Sequence, residues 1–256
     1  MEQQYDAGFV AAHRLHSLPE SMYYFPDFIT ASEEQQVLQK LPPNRWTHLA
    51  HRRLQAHPSA LSARGALLAA PLPPYLAAAP PILPRLEALG PFAGTNGFVA
   101  TPHGRPNHCL VNEYRAGEGI MMHEDGGAYA PVVATVSLGG AVVLDVVVKA
   151  QEGEGKAEDE AQQRQRILCE PRSLLVTTGR AYVDALHGVP AVAADEDLGA
   201  ATVANWALLG SPARYADAGG RNERATRVSL TYRDVLRVSW AGGLGRMLGG
   251  GGGGGT

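Results

Sequence analysis

Arg227, Ser229, Thr231 and Arg233 alternate with Val228, Leu230 and Tyr232 in one unbroken run. Strand side chains point to opposite faces in turn, so this segment has one apolar face and one face rich in hydrogen-bond donors. Two arginines on an inward face are costly unless an anion meets them. The run therefore asks for a β architecture wrapped around a polar interior. Upstream segments agree. Cys109 to Tyr114, Gly119 to His123, Val132 to Leu138, Ala141 to Val148, Ser173 to Thr178 and the region near His187 all have strand character. Many short strands separated by Gly and Pro suggest a barrel or jelly roll.

The N-terminal part has a different texture. Tyr23 to Ile29 suggests a short strand and entry turn. Thr30 or Ser32 can cap a helix through Glu33 to Leu38 that stops before Pro42 and Pro43. Trp46 to Leu54 has strand or loop character, and short helices are expected around Pro74 to Ala78 and Pro84 to Leu89. The expected organisation is an N-terminal segment over 1–22, one mainly β (α+β) domain over 23–240, and a Gly-rich flexible tail over 241–256. Two loosely structured loop insertions are expected, at 151–166, which is nearly all polar and charged, and at 191–224. No internal repeat is visible.

Composition excludes some classes. No run of eighteen apolar residues occurs, so no transmembrane helix is expected. Met1 to Val10 lacks the basic and apolar regions of a signal peptide. Cys109 and Cys169 are the only cysteines, which suits a reducing compartment and packing roles. Oligomerisation leaves no visible mark, so a monomer is the default. The net charge of −3 does not by itself suggest a polyanion partner, but its distribution does. No Asp or Glu occurs from Gln35 to Leu86, which holds Lys40, Arg45, Arg52, Arg53, Arg64 and Arg85 with His48, His51 and His57. Local potential steers a polyanion better than net charge. The ordinary alternative is a solvated basic loop.

Met-Met-His123-Glu-Asp125-Gly-Gly carries the next signal. Nine His and ten Asp give roughly 0.35 chance occurrences of His-x-Asp, so context must decide. On a strand, residues two apart share a face, which lets His123 and Asp125 bind one ion while Glu124 points away. Gly126 and Gly127 allow a turn close to a metal. His187 is the only histidine after Asp125 and precedes Gly188, as suits a ligand at a strand end. Two histidines and one carboxylate make a facial triad for non-haem Fe(II), with positions left open.

A dicarboxylate would satisfy the inward arginines. One carboxylate and its keto oxygen would chelate iron, and the other would pair with a guanidinium fork. Arg227 and Arg233 lie about 20 Å apart when fully extended. Arg227 is therefore the first choice for the distal carboxylate, while Arg233 has a salt bridge to a metal-site or surface carboxylate as its alternative. Asn112 and Tyr114 form a same-face pair able to hydrogen-bond the same molecule.

Together, Asn112-x-Tyr114, His123-x-Asp125, His187 and Arg227 with Arg233 resemble the AlkB family of Fe(II)/2-oxoglutarate dioxygenases. Gly117 to Gly126, Glu170 to Val176, Leu186-His-Gly188 and Thr226 to Thr231 are most similar to its sixth homologue branch in eukaryotes. The resemblance covers roughly Tyr23 to Arg237. It implies a double-stranded β-helix jelly roll with N-terminal helices and a nucleotide-recognition lid over 35–86. It implies iron on His123, Asp125 and His187, and 2-oxoglutarate held by Asn112, Tyr114, Arg227 and Arg233, with Ser229 or Thr231 helping. It implies O₂ as a further cosubstrate and an oxidised nucleobase N-methyl group that leaves as formaldehyde. DNA or RNA would enter as a single strand or flipped base. Arg52 and Arg53 are candidate nucleic-acid contacts. Trp46, His48 and Tyr75 are candidate stacking residues with core packing as their ordinary alternative, and Tyr129 is a candidate for the pocket mouth. The resemblance implies presence in nucleus and cytoplasm. Two other functions remain open: a protein side-chain oxygenase, and a nucleic-acid-binding module with little catalysis.

Overall fold

A computed structural model describes residues 5–16, 21–149 and 164–240. The Gly-rich tail and most of the 151–166 segment lie outside the described residues. In chain order the elements are α1 (Ala7–Ala12), β1 (Met22–Phe25), α2 (Ala31–Lys40), β2 (Thr47–Leu49), β3 (Arg52–His57), β4 (Ala66–Leu68), α3 (Pro74–Ala77) and α4 (Ile82–Leu89). There follow β5 (His108–Tyr114), β6 (Ile120–His123), β7 (Tyr129–Gly139), β8 (Val142–Val148), β9 (Arg164–Cys169), β10 (Leu174–Thr178), α5 (Gly179–Asp184) and β11 (Ala185–Val189). The chain continues through β12 (Ala194–Asp195), α6 (Pro212–Asp217), β13 (Asn222–Glu223), β14 (Arg227–Val235) and β15 (Arg237–Ser239).

The fold is mainly β with few helices. An antiparallel sheet of seven strands runs β1-β10-β7-β14-β5-β3-β2, and one of four runs β6-β11-β8-β9. β14 is central to the larger sheet and every one of its residues is buried. Its alternation sorts the two faces. Val228, Leu230 and Tyr232 join Val111, Val136, Val37, Leu86 and Leu89 in one apolar core. Arg227, Ser229, Thr231 and Arg233 line a cavity whose other wall carries Ile120, Val146, His187 and Val189 of the smaller sheet.

The helices cover the apolar face. Thr30 caps α2 by accepting the Glu33 N–H at 3.2 Å, while the Glu33 carboxylate accepts the Thr30 N–H at 2.8 Å. This reciprocal pair satisfies two otherwise unpaired donors. Val37 of α2 and Leu86 and Leu89 of α4 are completely or almost completely buried. Each such side chain stabilises the fold by roughly 1.5–3 kcal/mol. α4 starts at Ile82, two residues before the expected Pro84, because a proline is tolerated in a first helical turn.

Two expectations need correction. The polar loop does not reach Arg166, because β9 begins at Arg164 and pairs with β8. The segment 191–224 is not a loose insertion. Val203, Leu209 and Tyr215 are buried in a second core with strand residues such as Val143 and Leu168. The Asn205 amide meets both Leu168 backbone groups at 2.9 Å. Arg224 forms a buried pair with Asp195 at 2.5 Å, and Asn222 donates to the same carboxylate at 3.0 Å. The mixture of Ala, Gly, Asp and Arg concealed a few deep anchors and a buried ion pair whose halves are far apart in sequence.

His57 links the hairpin β2–β3 to Arg45. Its Nε2–H donates to Gln55 Oε1 at 3.0 Å, and Nδ1 accepts from Arg45 Nη1 at 3.3 Å. Acceptance at Nδ1 requires the neutral ring. Burial, then the Arg45 and His108 charges, push its pKa from the usual 6.5 down to about 4. Burial, then Arg233, takes buried His108 to about 4 as well. Both rings are neutral in either state above about pH 6.5, so neither penalises folding there. Between about pH 6.5 and 4 the unfolded chain gains protons that the folded chain refuses, and stability falls as pH falls. The expected loss is on the order of 2–3 kcal/mol per ring across that window. Urea denaturation at stepped pH values would show it, with a shallower slope for His57→Gln. Parallel slopes in the two proteins would remove His57 from the account.

Candidate metal centre and cosubstrate chamber

β6 and β11 are neighbours, and their register sets His123 opposite His187. Their ring centroids are 4.4 Å apart. The approach is close because residue 188 is glycine. A Cβ there would meet Met122 Sδ at 2.9 Å and Ile120 O at 3.0 Å. Asp125 lies beyond the end of β6, so strand alternation does not itself aim it. Gly126 at φ 82° turns the chain there. Ligand atoms of His123, Asp125 and His187 all lie within 4.8 Å of one another. Among the described residues they are the one group of three or more His, Cys, Asp or Glu so placed. Glu124 pairs with Lys149 at 2.5 Å and also borders the cavity, so it does not point wholly away from the site as strand alternation predicts.

The imidazoles are prepared as ligands. His123 Nδ1 lies 2.8 Å from Met121 O. A carbonyl only accepts, so Nδ1 carries the proton and Nε2 keeps its lone pair for a metal. Burial pushes the His187 pKa down to about 4, with His123 and Arg233 lowering it further against the opposing effect of Asp125. The His187 ring is therefore neutral near neutral pH and able to coordinate.

The chamber behind this triad is a cavity of about 270 Å³. Asn112 and Tyr114 on β5 face it, opposite Ser229 and Arg227 of β14 in register. Arg227 is buried, and its Nη2 donates to Ser137 Oγ at 3.0 Å. Its Nε has no partner, and among the described residues no carboxylate lies within ion-pair distance of it. Arg233 pairs with Asp125, which is the alternative that the sequence left open, and its Nε is also without a partner. Two buried guanidinium groups with unspent donors, one lacking any counter-charge, fit a dianionic cosubstrate. Two imidazoles and a carboxylate fit a divalent iron with open positions.

The proposed substrate residues separate. Arg52 and Tyr129 line the cavity, with Tyr129 4.9 Å under the Arg233 guanidinium. His48 is exposed on β2 and does not line it. Arg53 points to the opposite face of β3. It grips Glu113 through two bonds of 2.7 Å and lies 4.4 Å over the Trp46 ring. Tyr75 packs against the core, edge-on to His57. Arg85 is likewise held by Glu33 at 2.7 Å. Two of the six cations in the acid-free stretch are thus matched by carboxylates from outside it. No residue of 191–224 lines the cavity, so that segment forms no cover over it.

The lining also includes residues that the sequence does not single out, Thr135, Cys169 and Tyr182 among them. Thr135 and Ser137 are two apart on β7 and share a face, a short polar alternation legible in principle, and Ser137 anchors Arg227. Cys169 is buried and lines the cavity. Tyr182 of α5 donates to Gly126 O at 3.2 Å, bracing the turn after Asp125, and nothing in the sequence signals it.

Residues 21–233 match the family described as the 2OG-Fe(II) oxygenase superfamily. A zebrafish (Danio rerio) protein described as "Probable RNA/DNA demethylase ALKBH6" is 36% identical over 225 residues, covering 86% of this chain and 88% of the relative. Among solved structures, "The structure of OsALKBH1" is similar in fold, with a TM-score of 0.52 at 16% identity over 85% of this chain and 98% of that one. An oxidoreductase of the 2OG-Fe(II) oxygenase family from Burkholderia pseudomallei is similar too, with a TM-score of 0.51 at 16% identity over 93% and 96%.

Proposed function

The chain belongs to the 2OG-Fe(II) oxygenase superfamily, and from that premise we propose that it removes N-methyl groups oxidatively from alkylated bases of DNA or RNA. Its enzyme class and its use of Fe(II) and 2-oxoglutarate follow from the family, with the His-x-Asp and distal His set in place. The nucleic-acid reading is carried by the similarity along 86% of the chain to a relative described as an RNA/DNA demethylase. The cavity supports it. Arg52 and Tyr129 line the cavity, and the adjacent β2 strand is exposed throughout. The family also implies that the two sheets form a double-stranded jelly roll, and we assign residues 35–86 as its substrate-facing lid.

Bound iron with 2-oxoglutarate and O₂ would supply the oxidising chemistry: 2-oxoglutarate loses CO₂ and takes one oxygen atom to become succinate, the other oxygen goes to the methyl carbon, and the N–CH₂OH product releases formaldehyde to leave N–H. His123, Asp125 and His187 hold the metal. Arg227 binds the distal carboxylate, and Ser137 orients its guanidinium. Asn112 and Tyr114 hydrogen-bond the cosubstrate, with Ser229 and Thr231 on the same wall. Arg233 screens the charge of Asp125 and stacks over the Tyr129 ring. The apolar wall of Ile120, Leu144, Val146 and Val189 excludes water.

The test is succinate and formaldehyde release with a panel of N-methylated single- and double-stranded DNA and RNA oligonucleotides. One oligonucleotide should stimulate both products in equal amounts. The pairing of Arg53 and Arg85 inside the protein lowers the free charge of the lid, and this favours a protein side chain as the second reading. Succinate release that no oligonucleotide stimulates would select it. Bound iron without turnover would instead select a binding module.

A further inference from the structure

We propose that Arg52 is a positioning residue for the cosubstrate, acting through Asn112. The inference rests on the assignment of Asn112 as a cosubstrate contact. Arg52 opens β3 at the hairpin turn, and its side chain enters the cavity while Arg53 beside it points away. Arg52 Nε lies 3.3 Å from Asn112 Oδ1. A guanidinium has donors and no acceptor, so the atom that it meets must be the amide oxygen. The bond therefore fixes which way the amide faces. Among the described residues nothing takes the Asn112 Nδ2 protons, which are left to the chamber.

That choice matters because the two ends of an amide are nearly the same size and opposite in polarity. With Nδ2 inward, Asn112 donates to a carboxylate. Flipped, it would set oxygen against oxygen. Among the described residues no carboxylate pairs with Arg52, so its bond to Asn112 has no charged competitor. The hairpin is also held from the other wall. The His51 carbonyl accepts the Gly119 N–H at 3.2 Å, just ahead of the strand that carries His123. Gly119 is itself wedged so tightly that a Cβ would meet Val189 O at 2.2 Å. The turn before Arg52 is thus anchored to the metal strand while its side chain reaches the cosubstrate strand. Anything that draws Arg52 outward lowers cosubstrate affinity.

The test is 2-oxoglutarate affinity of the full chain loaded with Mn(II), without oxygen or nucleic acid, measured by calorimetry for the parent, Arg52→Ala, Asn112→Ala and the double variant. Arg52→Ala should weaken binding about fivefold to tenfold, as expected for loss of one charge-assisted hydrogen bond. In the Asn112→Ala background the same change should cost less than about twofold, because its target is gone. Mn(II) affinity and the thermal midpoint of Arg52→Ala should match the parent. Equal penalties in both backgrounds would make Arg52 a plain charge and overturn the proposal. Weak binding in Asn112→Ala with parental affinity in Arg52→Ala would overturn this inference and leave the Asn112 assignment standing. Parental affinity in Asn112→Ala would overturn both. None of these outcomes depends on whether the substrate is nucleic acid.

Discussion

Asp125→Ala should lose 2-oxoglutarate turnover altogether and bind Fe(II) at least about 100-fold more weakly, a larger loss than His123→Ala shows. Both variants lose a ligand, but their consequences for charge differ. Asp125 also neutralises Arg233, whose side chain is buried at the same place. Removing the carboxylate leaves a guanidinium without its partner beside two imidazoles, and a cation must then enter against that charge. His123→Ala leaves the Asp125–Arg233 pair intact. Anaerobic Fe(II) titration of the two variants would show the order, and equal affinities would mean that Arg233 does not sense the loss. Oligonucleotide binding should persist in both. If it fell in parallel with metal affinity, the ion would be holding the binding surface together.

The second large effect is expected at Arg227, where stability and cosubstrate affinity should move in opposite directions. Arg227→Met keeps most of the side-chain volume and removes a buried charge that has no carboxylate among the described residues. The protein without cosubstrate should be as stable as the parent or more so, since an uncompensated buried charge is unfavourable. Affinity for 2-oxoglutarate should fall by roughly 3–4 kcal/mol, or several hundredfold, because the distal carboxylate loses its bidentate partner. Thermal melts without ligand and calorimetry with it separate the two quantities. A large drop in the melting midpoint would show that the bond to Ser137 makes Arg227 structural.

Much of this arrangement is legible in the sequence, for identifiable reasons. The alternation on β14 is a period-two pattern, so Arg227, Ser229, Thr231 and Arg233 share a face whatever the strand packs against. The capping box at Thr30 is likewise local. It uses a hydroxyl and a carboxylate three residues apart, and α2 starts where they require. The segment 191–224 was misjudged because its order depends on Asp195 meeting Arg224 and on Asn205 bridging a distant strand. Local composition carries no trace of such contacts. The free charge of the lid is lower than its composition implies, for the same reason. Glu113 and Glu33 lie outside the acid-free stretch, yet they hold Arg53 and Arg85.

The sequence by itself determined the chemistry available: two imidazoles, a carboxylate, and a strand with a donor-rich face. These are properties of residue type and short-range spacing, and they survive any fold that keeps the strands. Only the tertiary structure decided how those groups are spent. It set His187 across from His123, gave Arg233 to Asp125, left Arg227 without a counter-charge, and turned neighbouring Arg52 and Arg53 to different tasks. Such pairings depend on strand register and on which carboxylate arrives within a few ångströms, and Coulomb and hydrogen-bond energies fall too steeply with distance for sequence proximity to stand in for either.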